Sequence, residues 1–288
     1  MPIIHLADRG VLKVSGIDAR AFLNGLVTSD MAKVSAEKAS YAALLSPQGK
    51  ILFDFMVVEA AAEDGGGFFL DCPKPLVPDL IRRFAMYKLR AAVTIEDLSS
   101  VLGIGVAIGD TGFDPQEWLG FTDPRLPALG TRLIGEQETL VRSASDTTAY
   151  LALRIALGVP EGGKDFAYND AFPHEALLDQ LGGVDFKKGC YVGQEVVSRM
   201  EHRGTARTRM VRVVYEGGFA PDAGMDVLAG DKVIGRTGSQ LSGQGLAILR
   251  LDRVGDALGQ GLAITAGGIP LSVQKPSFAR FDIPGVDS

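Results

Sequence analysis

Cys190 is the residue of this 288-residue chain with the most unusual chemical surroundings. It lies in the segment Lys187–Glu195, which reads KKGCYVGQE, directly after two lysines and a glycine. Nearby cations favour the thiolate over the thiol, and the thiolate is the form that acts as nucleophile and metal ligand. Gly189 and Gly193 flank the cysteine and allow a tight, exposed turn. This pattern is compatible with a reactive thiol, but a buried structural cysteine beside a turn is the more common state of a free cysteine, so the local residues leave both interpretations open.

A dense group of arginines follows this segment, with Glu201 as the only acid among them: Arg199, Arg203, Arg207, Arg209 and Arg212. A guanidinium group suits carboxylates and phosphates. The glutamate tail of a folate-type ligand is one group that such a cluster could hold. A solvated charged face, or a strip of salt bridges between domains, is the alternative.

Asp54 is a carboxylate inside an apolar strand pattern, GKILFDF. If it is buried, it needs a partner or a cavity, because an isolated buried charge is costly. Strand alternation offers another interpretation, with Ile51, Phe53 and Phe55 inward and Asp54 on the wet face. Glu175 and Tyr191 are weaker candidates, since an acid is favourable in the first turn of a helix and a tyrosine often only packs.

Composition excludes several classes of protein. The net charge of −6 argues against a nucleic-acid binder or an anionic-membrane binder. Two cysteines cannot alone hold an iron–sulfur cluster, which needs about four ligands. The three histidines lie far apart, so no resident metal is expected. No apolar run approaches a membrane span and the N-terminus lacks the pattern of a signal or transit peptide, so we expect a cytoplasmic protein.

The order of elements predicts an α+β fold. Hairpin-paired strands alternate with helices, and the helices include residues 75–89, 147–157 and 173–181. From about residue 207, short apolar runs alternate with turn residues, which is typical of a small β-barrel or sandwich. We therefore predict a body over residues 1–206 and a C-terminal barrel over residues 207–288, with the boundary at residues 204–208.

The segment Lys188–Glu195 closely resembles the K-G-C-Y-x-G-Q-E signature of the YgfZ family, whose members bind tetrahydrofolate and act in iron–sulfur cluster assembly and repair. GIDARAFLNGLVTSD, RIALGVP and the C-terminal KVIGRTGSQLSGQGLAILRLD also resemble segments of that family, the last only loosely. The resemblance covers nearly the whole chain. It implies tetrahydrofolate, or a one-carbon derivative, as ligand and iron–sulfur client or assembly proteins as partners.

The family is related to the glycine-cleavage aminomethyltransferase, T-protein. This relation implies a T-protein-like ring of an α+β body, made of two intertwined subdomains, and a β-barrel around a folate-sized hole. It places Asp54 at the position of an aspartate next to the folate, and Ala156 where T-protein has a pterin-binding glutamate. Cys190 and Asp54 are the expected catalytic residues. The expected folate-binding residues are Asp54, Glu175, Tyr191, Gln194, Glu195, Arg199 and Arg203.

Three functions follow as hypotheses. The first is a folate-binding factor that supports iron–sulfur enzymes through Cys190, a role that needs no turnover of its own. The second is a folate-dependent aminomethyl or one-carbon transferase that uses Asp54. The third is a non-enzymatic module that docks an acidic partner on the arginines around Arg203 and Arg207.

Overall fold

The computed structural model describes residues 3–62, 64–109, 113–143, 146–204 and 206–286, which form two compact units. The first unit combines Met1–Tyr150 with Leu181–Gln194, and the second combines Leu151–Gln180 with Glu195–Ser288. The units are interleaved along the chain, because each is built from two segments. The division into residues 1–206 and 207–288 stays a prediction, and Thr205 in its boundary region lies outside the described residues.

The first unit contains two antiparallel sheets. Its strands are β1 (Ile4–His5), β2 (Arg9–Ser15), β3 (Ser40–Leu45), β4 (Ile51–Glu59), β5 (Phe68–Pro73), β6 (Thr94–Asp97), β7 (Leu102–Ala107), β8 (Leu119–Thr122) and β9 (Thr131–Glu136). One sheet has the order β3-β4-β5-β2-β6 and the other β1-β7-β9-β8. Its helices are α1 (Ala19–Asn24), α2 (Val77–Lys88) and α3 (Gln137–Ser143), with 3₁₀ turns at Met31–Lys33, Lys74–Leu76 and Pro127–Leu129.

Strands β3 and β4 of the first unit form an antiparallel hairpin. Gly49 closes the turn with a φ of +80°, a conformation that glycine adopts without strain, and its N–H donates to the Ser46 carbonyl at 2.8 Å. Helices α1 and α2 contribute Leu23 and Phe84 to an apolar core shared with Phe55 of β4. Burial of these side chains stabilises the unit by roughly 1.5–3 kcal/mol each.

The second unit is built around a closed barrel. Helices α4 (Thr148–Leu157) and α5 (Gln194–Arg203) belong to it except for their first residues, which are counted with the first unit. The barrel strands are β10 (Thr208–Tyr215), β11 (Asp226–Ala229), β12 (Lys232–Leu241), β13 (Gln244–Arg250), β14 (Ile264–Ala266) and β15 (Ile269–Gln274), in the order β10-β13-β12-β11-β14-β15. A 3₁₀ turn spans Glu216–Gly218, and α6 (Leu251–Gly259) packs on the barrel core through Leu251 and Val254.

The helix predicted over residues 173–181 is wrong. The structure has consecutive turns there, and Leu177 has a φ of +62°, outside the right-handed helical region. The predicted helices over residues 75–89 and 147–157 are present as α2 and α4. Helix α6 was not predicted, because its first residues continue the apolar run of β13.

Candidate functional site

The predicted signature forms an exposed turn that leads into α5. Cys190 is exposed, whereas the other free cysteine, Cys72, is buried in the sheet of the first unit. Burial raises the pKa of the Cys72 thiol to about 12, which keeps it protonated and unreactive at neutral pH. Cys190 is therefore the accessible thiol of the described chain.

Lys188 anchors the start of this turn to the chain that leaves α1. Its ammonium group donates to three backbone carbonyls, at 2.7 Å to Asn24, 2.6 Å to Val27 and 2.9 Å to Ser29. We call these three oxygens the carbonyl cage. Burial lowers the pKa of Lys188 to about 8. The sequence predicts Lys188 as a cationic neighbour of the thiol; the structure shows its hydrogen bonds going to the backbone.

Gly193 fixes the other end of the turn against the β3–β4 hairpin. Its φ is +79°, and a side-chain carbon at this position would lie 2.5 Å from the Ser46 carbonyl oxygen. Both the backbone conformation and the close approach therefore require glycine. The sequence predicts that Gly193 gives the backbone conformational freedom for a tight turn. In the structure the absence of a side chain also allows close packing against Ser46.

Tyr191 packs its ring into the first unit and is only 7 % exposed. The Lys188 ammonium lies 5.2 Å from the centre of this ring, within the range of a cation–π contact. Burial raises the pKa of Tyr191 to about 12, so its hydroxyl stays protonated. Among the described residues this buried hydroxyl has no hydrogen-bond partner.

Asp54 is buried, so the wet-face interpretation of strand alternation is wrong. It is 3 % exposed, and Tyr41 donates its hydroxyl hydrogen to the Asp54 Oδ2 at 2.8 Å. The alternation argument assumes that one face of the strand is exposed to solvent. Strand β4 is instead buried on both faces. Burial, followed by the charge of Asp54, raises the pKa of Tyr41 well above its usual value, so this hydrogen bond persists at neutral pH.

A buried network of ion pairs in the same unit was not found from the sequence. Charges alternate along it, in the order Arg9, Asp71, Arg132, Asp123 and Arg125. The four salt bridges have N···O distances of 2.6, 2.6, 3.1 and 2.8 Å. Tyr150 accepts hydrogen bonds from the last two arginines, at 2.7 and 2.8 Å. The usable signal was the presence of single charges inside apolar strands, as in FFLDC and TRLIG.

Glu175 has local structural contacts in the second unit. Its carboxylate accepts a hydrogen bond from the Phe172 amide at 2.8 Å, and its carbonyl accepts one from the Met210 amide at 2.9 Å. These bonds hold the turns of residues 172–178 next to β10. A role of Glu175 in ligand binding stays a prediction.

The charged residues that follow the signature do not form one exposed strip. Glu195 and Arg199 form an exposed i,i+4 pair at 2.6 Å, which contributes little to stability, and Arg203 is exposed at the end of α5. Arg209, in contrast, is buried and paired with Asp179 at 2.8 Å. The difference follows from the elements that carry these residues, because Glu195, Arg199 and Arg203 lie on α5 whereas Arg209 lies on the barrel strand β10.

His174, Asp179 and Glu201 bring potential metal-ligand atoms within 4.8 Å of one another. The Arg209 guanidinium lies 2.8 Å from both carboxylate oxygens of Asp179, and the His174 Nε2 lies 3.0 Å from the Glu201 carboxylate. A divalent ion at this point would face the guanidinium charge at close range. The group is better described as an ion-pair network that joins α5, β10 and the turns between them.

The predicted site residues are thus divided between the units. Cys190, Tyr191, Gln194 and Asp54 belong to the first unit, and Gln194 begins α5. The others belong to the second unit: Glu175, Glu195, Arg199 and Arg203. Only the signature residues are close neighbours along the chain, so the eight residues do not form a single site within either unit.

Comparison with known proteins adds an independent line of evidence. The family model described as "CAF17, C-terminal beta-barrel domain" matches residues 207–281. The chain is 33% identical over 228 residues to the mitochondrial iron–sulfur cluster assembly factor IBA57 homolog of Pyricularia oryzae, covering 75% of this chain and 58% of that protein. The chain is 34% identical over 239 residues to the Mycosarcoma maydis homolog, and the match covers 77% of this chain and 59% of that protein. The chain therefore spans less than two thirds of the length of these two fungal relatives.

Two further matches decide family and fold. The mitochondrial iron–sulfur cluster assembly factor IBA57 of Mus musculus is 31% identical over 278 residues, covering 87% of this chain and 78% of that protein. The glycine cleavage system aminomethyltransferase T from Bartonella henselae matches with a TM-score of 0.76 at 16% identity, covering 96% of this chain and 86% of that structure. The predicted α+β fold with a C-terminal barrel is confirmed. The chain belongs to the IBA57/CAF17 family of YgfZ-like iron–sulfur cluster assembly factors.

Proposed function

We propose that this protein supports the assembly or repair of iron–sulfur clusters through the thiol of Cys190. The observation that carries the proposal is that Cys190 is exposed on a turn anchored at both ends, while the other thiol is buried. The thiol releases its proton to solvent, and the thiolate then displaces one ligand from an iron ion of a cluster held by a partner, so that one iron–ligand bond breaks as the iron–sulfur bond forms. In this proposal the cluster is cargo. A resident cluster needs about four protein ligands, and this chain has two cysteines.

The partners in this proposal are proteins of the assembly machinery and their iron–sulfur clients. Support comes from family membership and from the accessible thiol. No helix of the described residues has the length and apolarity needed to cross a bilayer. The cytoplasmic location expected from the sequence stays a prediction, and the relatives compared above carry the word mitochondrial in their names.

Replacing Cys190 with alanine should abolish support of an iron–sulfur client enzyme, a loss of roughly tenfold or more, because no other accessible thiol can bind the iron. The measurement is client activity in cells that depend on this protein, with its level checked by immunoblot. Cys72→Ala is the matched control and should retain support, since that thiol is buried. Full client activity with Cys190→Ala would disprove the role of the thiol.

We infer further that the first unit binds tetrahydrofolate with Asp54 as a ligand. The fit is partial. Asp54 offers a carboxylate, ordered by Tyr41, to the N–H donors of a pterin. The second carboxylate expected from T-protein is missing, since Ala156 stands there and is exposed. When bound, the folate would supply a one-carbon carrier, and the task of this chain is to hold it.

The substitution Asp54→Asn should weaken tetrahydrofolate binding by roughly tenfold or more, because a charge-assisted hydrogen bond is lost. Calorimetric titration measures the affinity, and thermal melting checks that the variant is folded. Cys190→Ala should bind folate like the wild type, which separates the ligand site from the thiol. Equal affinity of Asp54→Asn and wild type would exclude Asp54 as a ligand.

A one-carbon transferase is the second candidate, and the ordered carboxylate of Asp54 favours it. The exposed Ala156 counts against it, because one expected pterin ligand is absent. Incubation of the protein with tetrahydrofolate and an aminomethyl donor decides between a one-carbon transferase and a factor that only binds folate. Turnover that falls in Asp54→Asn but not in Cys190→Ala would support the transferase.

A further inference from the structure

The loop of residues 189–192, which we call the thiol loop, is held by contacts on both sides. On one side, Lys188 binds the carbonyl cage, more than 150 residues away along the chain. On the other side, Gly193 packs against Ser46 in the β3–β4 turn. Cys190 is exposed between these two points. The loop therefore has little freedom at its ends, and within it Cys190 faces solvent while the ring of Tyr191 packs into the first unit.

The donor capacity of Lys188 limits what it can do for the thiol. An ammonium group has three N–H donors, and the cage supplies three acceptors at 2.6–2.9 Å. No donor remains for a hydrogen bond to the sulfur of Cys190. Hydrogen bonds from a charged donor are stronger than those between neutral groups, so the cage is a strong attachment point.

Lys187 provides the natural comparison, because it carries the same charge one residue earlier. Its side chain is exposed, and its backbone amide donates to the Asp185 carboxylate at 2.8 Å. Asp185 in turn forms a salt bridge with Lys33. Lys187 is thus close to Cys190 along the chain but does not take part in the cage.

We propose that Lys188 is a positioning residue that, together with Gly193, clamps the thiol loop so that Cys190 is presented in a fixed orientation to an iron-bearing partner. The inference rests on the role proposed above for Cys190. It assigns Lys188 a geometric task, in place of the electrostatic activation that the sequence suggests. Fixed presentation reduces the conformational freedom that is lost when the partner binds.

A nitroxide spin label on Cys190 tests the clamp directly, since Cys72 is buried and stays unlabelled. Wild type should give a slow, anisotropic spectrum. In Lys188→Met the label should move faster, with a correlation time shortened by roughly threefold or more, as expected for a released loop. Lys187→Met, the matched loss of one charge, should match wild type. Lys188→Gln restores hydrogen-bond donors without charge and should recover part of the immobility.

Two results would overturn the proposal. One is a label as immobile in Lys188→Met as in wild type, in protein shown to be folded by thermal melting. The other is equal mobility in Lys187→Met and Lys188→Met, which would make charge alone responsible. If Lys188→Met does not fold, Lys188→Gln takes its place with a smaller expected effect: its label must still move faster than in wild type and in Lys187→Met, and equal mobility would overturn the proposal. The spectra do not depend on client activity, so failure of the clamp is distinct from failure of the Cys190→Ala experiment.

Discussion

Replacing Arg154 with methionine should lower the free energy of unfolding of the second unit by about 3–5 kcal/mol. Arg154 is 1 % exposed and lies on α4. It donates to the Val159 carbonyl and pairs with Asp165, both at 2.9 Å, and it reaches Ser239 of β12 at 3.1 Å. The substitution leaves the buried Asp165 carboxylate without this cation, which is the costly outcome for a buried pair.

Thermal melting, with hydrogen exchange of the barrel strands, measures this loss, and the melting temperature should fall by roughly 10 °C. Arg236→Met is the matched control, because Arg236 forms an exposed pair with Asp226 in the same barrel. It should cost less than about 1 kcal/mol. Adding Asp165→Asn to Arg154→Met should destabilise less than the sum of the two changes. Melting of Arg154→Met within about 2 °C of wild type would contradict the argument.

The substitution Arg132→Met should destabilise the first unit by about 3 kcal/mol at pH 7. Arg132 is 3 % exposed and bridges Asp71 at 2.6 Å and Asp123 at 3.1 Å. Each carboxylate keeps one other arginine, so the expected loss lies at the lower end of the range for buried pairs. Arg142→Met, at an exposed i,i+4 pair with Glu138, is the control and should have little effect.

The effect of Arg132→Met should depend on pH. Burial alone would raise the pKa of Asp123, but the charges of Arg125 and Arg132 outweigh it and hold this pKa well below the usual range. Stability from such a group is complete above the unfolded pKa of about 3.9 and is lost as pH falls towards the folded pKa. The difference between wild type and variant should therefore shrink below about pH 4.

Denaturant unfolding followed by fluorescence measures this difference at each pH. The chain has one tryptophan, Trp118, which is buried in the first unit. Its emission reports the unfolding of the unit that contains Arg132. A difference that stays constant from pH 7 to pH 3 would mean that the coupling of Asp123 to Arg132 is weak.

The signature and the order of most elements were predictable from the sequence, because they depend on residues close together along the chain. The position of the Lys188 ammonium was not. Its acceptors are backbone carbonyls at Asn24, Val27 and Ser29, and any sequence could supply these groups. Only the fold brings these carbonyls next to Lys188. The neighbouring residues in the sequence therefore suggested the Cys190 thiol as the partner of Lys188.

Two other differences have the same physical origin in tertiary contacts. The alternation argument for Asp54 assumed one wet face, whereas β4 is covered on both sides. The helix predicted over residues 173–181 has the apolar spacing of a helix, but Leu177 adopts a positive φ, and the Met210 amide of β10 donates a hydrogen bond to the Glu175 carbonyl. In both places packing outweighs the local preference of the chain.

The interleaving of the two units has a consequence for biosynthesis. The first unit includes Leu181–Gln194, so it cannot be completed while only residues 1–150 have left the ribosome. Residues 151–180 are made in between and belong to the other unit, whose barrel follows later. Domains generally fold as units during synthesis, N-terminal first. Here the segment that carries Cys190 is the last part of the first unit to emerge, so the accessible thiol can take its place only after the rest of that unit has been synthesised.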